Sequence, residues 1–76
     1  MEVNINKNLI EFKMKLRTLR VQAGKTQKDI AREIGITHQS FQAYESGSAF
    51  PTLENLCKLA IFFDVSTDYL LGLSEY

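Results

Sequence analysis

A chain of 76 residues makes one domain, close to the lower limit for a core that stands without help. Hydrophobic residues are 45% of the total, enough to build that core without a metal, and the single cysteine, Cys57, cannot close an intrachain disulfide. The net charge is zero, which excludes a uniformly basic chain that would bind polyanions over its whole surface.

No apolar run approaches the ~20 residues needed to span a bilayer. The start, MEVNINKN, lacks the apolar stretch of a secretion signal. The expectation is a cytoplasmic protein with no membrane partner.

Residues 1–8 read as a flexible N-terminal arm. The first helix is predicted from about Leu9 to Ala23, because Leu9, Phe12, Leu16, Leu19 and Ala23 fall on one stripe at helical spacing. Asn8 can cap its start with Glu11 three residues on, and Gly24 can end it. A second helix begins after Thr26, turns Ile30, Ala31 and Ile34 inward, and stops at Gly35. A third follows the cap Thr37 and runs from His38 to about Glu45, with Phe41 and Tyr44 inward and Ser46-Gly47 closing it.

Ser48 to Pro51 is a loop. Thr52 caps a fourth helix, Leu53 to about Phe63, whose stripe is predicted as Leu53, Leu56, Cys57, Ala60 and Phe63, with Cys57 as a buried thiol. Ser66 caps a short fifth helix, with Asp68 near its positive end, Gly72 beyond it, and Val65, Leu70 and Leu73 on the core. Five helices leave little room for a strand, so the fold class is all-α.

The zero net charge hides an asymmetry. Residues 1–32 hold eight basic and three acidic side chains, a balance of +5; residues 33–76 hold one basic and six acidic, a balance of −5. Such a chain can offer a polyanion one basic face and stay neutral overall.

The segment TQKDIAREIGITHQSFQAYESG carries the most information. Two helices crossing at a steep angle need a turn residue that tolerates positive φ, which Gly35 supplies, and a small side chain at the close approach, which Ala31 supplies. Ile30, Ile34, Ile36, Phe41 and Tyr44 then fill the angle. With Phe41 and Tyr44 inward, Thr37, His38, Gln39, Gln42, Ala43 and Ser46 remain at the N-terminal and outer surfaces of the third helix. Gln pairs with adenine N6/N7, Ala accepts a thymine methyl, and His can donate to a guanine acceptor or a phosphate. Free amides at the start of the second helix favour an anion beside Gln27.

The blocks LRVQAGKTQKDIAREIGI, SFQAYESG, Pro51-Thr52-Leu53 and DVSTDYLLG, in that order, resemble the phage-repressor (Cro and cI type, or XRE) helix-turn-helix family over about residues 12–73. The resemblance implies a compact five-helix, lambda-repressor-like domain that docks its third helix in the major groove of double-stranded DNA, usually as a two-fold dimer. It points to His38 and Gln39 as leading base readers, with Ser40, Gln42 and Ala43 as further candidates. Ala43 stands where family members often carry a longer reader. It assigns phosphate contact to Gln27, and Thr37, Ser46, Lys25, Lys28 and Arg17 are further candidates. It also implies a partly buried ion pair between Arg20 and Glu45, and a dimer contact at the end of the fourth helix and the fifth. Phe62, Tyr69, Leu71 and Tyr76, more than so small a core needs, are the candidates there.

Nothing in the sequence supports catalysis. One His and one Cys sit on different helices, no metal-ligand spacing is present, and there is no glycine-rich phosphate loop, so no cofactor is expected. Seventy-six residues leave no space for a sensor domain or small-molecule pocket. The alternative is an antitoxin or adaptor that uses the same fold mainly to bind a protein, a role that the acidic, apolar C-terminal third would suit.

Overall fold

The computed structural model describes residues 2–75, and among them it contains five helices and no strand. They are α1 (Asn6–Gln22), α2 (Gln27–Ile34), α3 (His38–Ser46), α4 (Leu53–Phe63) and α5 (Thr67–Leu70). α1 packs on α3 and α5, α2 on α3 and α4, and α4 on α5, so the two central helices are held from both sides.

Four of the five helices start as their sequence dictates. Thr26, Thr37, Thr52 and Ser66 each lie in extended backbone, and each side-chain oxygen accepts from the amide three residues on, Asp29, Ser40, Asn55 and Tyr69 in turn. Each such cap contributes about 1 kcal/mol by satisfying an otherwise orphaned donor. At α2 the box is reciprocal, because the Thr26 amide donates back to Asp29 Oδ2 at 3.0 Å.

The first helix departs from expectation. It begins at Asn6, so residues 6–8 of the predicted arm form its opening turn. The reason is local: the Asn4 side-chain oxygen accepts from the Asn6 amide at 2.9 Å, and the Leu9 amide bonds Ile5 O at 3.0 Å. Asn8 therefore does not cap. Its Nδ2 crosses to Leu71 O at 2.6 Å and ties α1 to the turn after α5. Glu11, its expected capping partner, instead lays its carboxylate against Gly72. Ala23 ends up exposed as the C-cap residue.

The core is drawn from every helix: Phe12 and Leu16, Ile30, Ala31 and Ile34, Phe41 and Tyr44, Leu59 and Ala60, and Leu70. Phe12, Leu16, Ile30, Phe41, Leu59 and Leu70 are sealed from solvent, each worth about 1.5–3 kcal/mol of burial. Phe41 is fully buried on α3, the helix on which α1 and α2 both pack, and Phe41→Ala would cost on the order of 3–5 kcal/mol.

The phase of α4 also differs. Leu59, absent from the predicted stripe, is buried beside Ala60, with Leu56 and Phe63 packed against them. Leu53 is 83% exposed and Cys57 is exposed, so the thiol is not a core group. Leu73, at 66% exposed, likewise does not join the core, which Leu70 enters alone from α5. Among the described residues, no helix is long and apolar enough to cross a membrane.

Candidate nucleic-acid interface

α3 is held by its apolar edge and shows its polar one. Phe41 and Tyr44 are buried, and Asn55 Nδ2 on α4 donates to the Tyr44 hydroxyl at 3.2 Å. At ~100° per residue, Gln39, Gln42, Ala43 and Ser46 fall on the arc opposite those two rings. Gln39, Gln42 and Ser46 are exposed and Ala43 is half-buried. Ser40 lies on the flank, with its hydroxyl accepting from Thr37 Oγ1 at 2.8 Å, so it is engaged with the cap. Gly35 and Gly47, at φ +75° and +81°, close α2 and α3 in the left-handed region that side chains with a Cβ avoid. Gly35 thus makes the turn between the two helices, and Gly47 the exit from α3.

The remaining polar candidates gather beside the start of α3. One shallow depression is lined by Lys25, Lys28, Gln27 and His38, and a second by Arg17, Gln42, Ser46 and again Gln27. Beneath both lies the ion pair. Arg20 Nε donates to Glu45 Oε2 at 2.6 Å and its Nη2 to Oε1 at 3.1 Å, with the two side chains 16% and 5% exposed. The third arm, Nη1, donates to Lys25 O at 3.0 Å, which anchors the turn between α1 and α2. Lys25 itself reaches Glu33 on α2 at 3.1 Å, whereas Lys28 and Arg17 stand out into solvent.

Gln27 has a larger place than its sequence suggests. Its Nε2 donates to Glu45 Oε1 at 3.1 Å, and its Oε1 lies 3.4 Å from His38 Nε2. A sequence signal existed, since His38 and Glu45 are seven residues apart and so share one side of α3. That Gln27 bridges them requires the α2–α3 crossing to be known. Ser48 is a second residue that sequence reasoning passed over: its hydroxyl lies 3.0 Å from that of Ser46, extending the hydroxyl edge beyond α3.

One carboxyl here is electrostatically perturbed. Hydrogen bonds from Thr26, its backbone amide first and its side chain second, hold the Asp29 carboxyl below its ordinary value, and the Arg32 charge one turn away adds to this. These contacts serve the start of α2. Among the described residues, no cluster of His, Cys, Asp or Glu is placed to hold a metal.

The dimer candidates lie away from this face. Phe62 meets Phe63 edge-on with centroids 5.0 Å apart, and Leu71 packs against the core; both are half-buried. Tyr69 takes Lys15 Nζ over its ring at 4.4 Å. Tyr76 lies outside the described residues. The apolar side chains most exposed on α4 are Leu53 and Ile61, at 83% and 79%, with Cys57 between them.

Residues 16–70 match the helix-turn-helix family HTH_3. A cryptic phage CTXphi transcriptional repressor, RstR, from Vibrio cholerae serotype O1 is 43% identical over 63 residues, covering 83% of this chain and 56% of that protein. From Bacillus subtilis, the uncharacterized regulator YobD is 43% identical over 61 residues (80% of this chain, 54% of that one), and the regulator ImmR is 39% identical over 61 (80% and 48%). The chain therefore spans about half the length of these relatives. No solved structure matches it. With the left-handed Gly35 turn, the small Ala31 at the crossing and the outward polar edge of α3 all inside the matched span, the chain belongs to the Cro and cI type (XRE) helix-turn-helix family.

Proposed function

We propose that this chain is a sequence-specific, double-stranded-DNA-binding transcriptional regulator, a repressor, acting in the cytoplasm as a homodimer on an inverted repeat. The observation that carries this reading is the outward edge of α3, where exposed Gln39 and Gln42 stand on a rigid helix flanked by Lys25, Lys28, Arg17 and the Gln27 amide. Uncharged amides on the helix suit base edges, and cations on its border suit phosphates. The relatives RstR, a transcriptional repressor, and ImmR, a transcriptional regulator, support the same role.

In this reading Gln39 and His38 read bases first, and Gln42, Ala43 and Ser40 line the same groove. Gln27, Thr37, Ser46, Lys25, Lys28 and Arg17 hold phosphates. The dimer contact draws on Phe62, Tyr69 and Leu71 around the end of α4 and α5, to which the exposed Leu53, Cys57 and Ile61 of α4 add apolar surface.

Selection of bound sites from random duplex DNA tests this. The expected product is an inverted repeat with half-site centres roughly 10 bp apart, or a multiple of that. Affinity should fall with salt at a log–log slope near −0.9 per phosphate neutralised. The apolar α4 face favours one second reading, an antitoxin or adaptor whose first partner is a protein. A stoichiometric co-purifying protein, with no salt-dependent binding to any duplex, would decide for that reading.

A further inference from the structure

Glu45 does more than close an ion pair. Its carboxylate is 5% exposed and, paired to Arg20 through both oxygens, it can only accept hydrogen bonds. The Gln27 amide at 3.1 Å from Oε1 must therefore present its NH2 group there, because the opposite orientation would set two acceptor oxygens against each other. With NH2 committed to Glu45, the Gln27 oxygen is the atom left facing His38 Nε2, at 3.4 Å. An oxygen acceptor opposite Nε2 calls for a proton on Nε2. A neutral imidazole carries one proton, so Nδ1 is then bare and accepts.

We propose that Glu45, acting through Gln27, fixes His38 as the Nε2–H tautomer, so that its remaining ring nitrogen reads a base that offers a donor. In the major groove those donors are the exocyclic amines of adenine N6 and cytosine N4; guanine offers only acceptors at N7 and O6. Glu45 and Gln27 are positioning residues, and His38 is the group that meets the base. The guanine contact open to a histidine from sequence alone is thereby disfavoured. This inference rests on the DNA-binding reading for its consequence, but the tautomer is a property of the protein by itself.

The two parts are tested separately. Long-range 15N–1H correlation NMR on the DNA-free protein in alkaline buffer distinguishes protonated from bare ring nitrogens. The wild type should show His38 protonated at Nε2 alone. Gln27→Lys places a group that only donates between Glu45 and His38, so the proton should move to Nδ1. Gln27→Leu removes the partner and should leave a mixture. An unchanged His38 tautomer in both variants, with both still folded by circular dichroism, overturns the proposal.

Site selection then reads the consequence. The base opposite His38 should be adenine or cytosine for the wild type and should move to one that presents an acceptor, guanine or thymine, for Gln27→Lys, by about tenfold in relative enrichment. A tautomer that switches while the selected base stays the same overturns the readout half. If no duplex is bound at all, the proposed function fails, and the NMR result still judges the relay on its own.

Discussion

Arg20 holds Glu45 by two nitrogens, at 2.6 and 3.1 Å, and its third arm holds the Lys25 carbonyl, so one side chain on α1 fixes the end of α3 and the turn into α2 together. A pair this shielded stabilises little over a well-packed apolar substitute, but breaking it strands a desolvated charge. Glu45→Ala should lower unfolding free energy by about 3 kcal/mol, measured by urea denaturation. Equal midpoints for variant and wild type would show that water screens the pair and that its geometry carries no stability.

Asp29 gives the domain a specific acid sensitivity. Hydrogen bonds from Thr26 and the charge of Arg32 hold its carboxyl below the ordinary value of 3.8, so folding favours the ionised form. A depressed carboxyl contributes stability that is fully present above the unfolded value and is lost as pH falls through the folded value. Asp29→Asn should therefore be less stable than wild type at pH 6, and the gap should close as pH drops below 3.8. Denaturation midpoints across a pH series measure it. A gap that stays constant would mean that the box acts by shape and not by charge.

How far the chain could be read in advance depended on where the information resides. Gly35, Thr26 and Thr37 each act through their own backbone or the next three residues, so the ends of α2 and α3 were legible. The start of α1 was not, because Ile5 supplies no side-chain cap and Asn8, which looked like one, is engaged by Leu71 63 residues away. α4 was legible in part: Leu56, Ala60 and Phe63 turn inward as expected, but Leu59 does so in place of Leu53 and Cys57. In LCKLAIFF every residue except Lys58 is apolar, so periodicity does not say which side is inward, and only the packed neighbours choose Leu59 over Cys57. The Arg20–Glu45 pair came from family resemblance. The Gln27 bridge to it needed three helices in place, and no single stretch of sequence encodes that.

The outward Leu53 and Cys57 leave an apolar face on α4 that the proposed dimer can use. Leu53, Cys57 and Ile61 are spaced four apart and fall within roughly 80° of one another on the solvent side of α4. If a second copy covers them, Ile61→Ala removes burial from both protomers. Self-association should weaken by about 2 kcal/mol or more, roughly thirtyfold, with the melting temperature of the monomer little changed because Ile61 is 79% exposed. Phe62→Ala should do the reverse and lower the melting temperature, since Phe62 packs against the core and Phe63. Sedimentation equilibrium with thermal melts separates the two. An Ile61→Ala protein that associates as tightly as wild type would leave this face to another partner.

Gln39 is the most direct test of groove reading. It stands exposed at the second position of α3, where its neighbours Thr37 and Ser40 are tied to each other and His38 faces Gln27. A glutamine amide matches adenine N6/N7 with both of its polar atoms, and such a pair discriminates by about 1–3 kcal/mol. Gln39→Ala should therefore relax preference at one base pair of each half-site, with the salt slope unchanged because no phosphate contact is lost. Lys28→Ala should behave oppositely. It should weaken binding to every duplex alike and make the slope shallower by about one phosphate. Competition binding against a panel of single-base operator variants reads both. Uniform weakening by Gln39→Ala would move that residue from base reader to backbone contact, and the specificity of α3 would then have to come from His38 and Gln42.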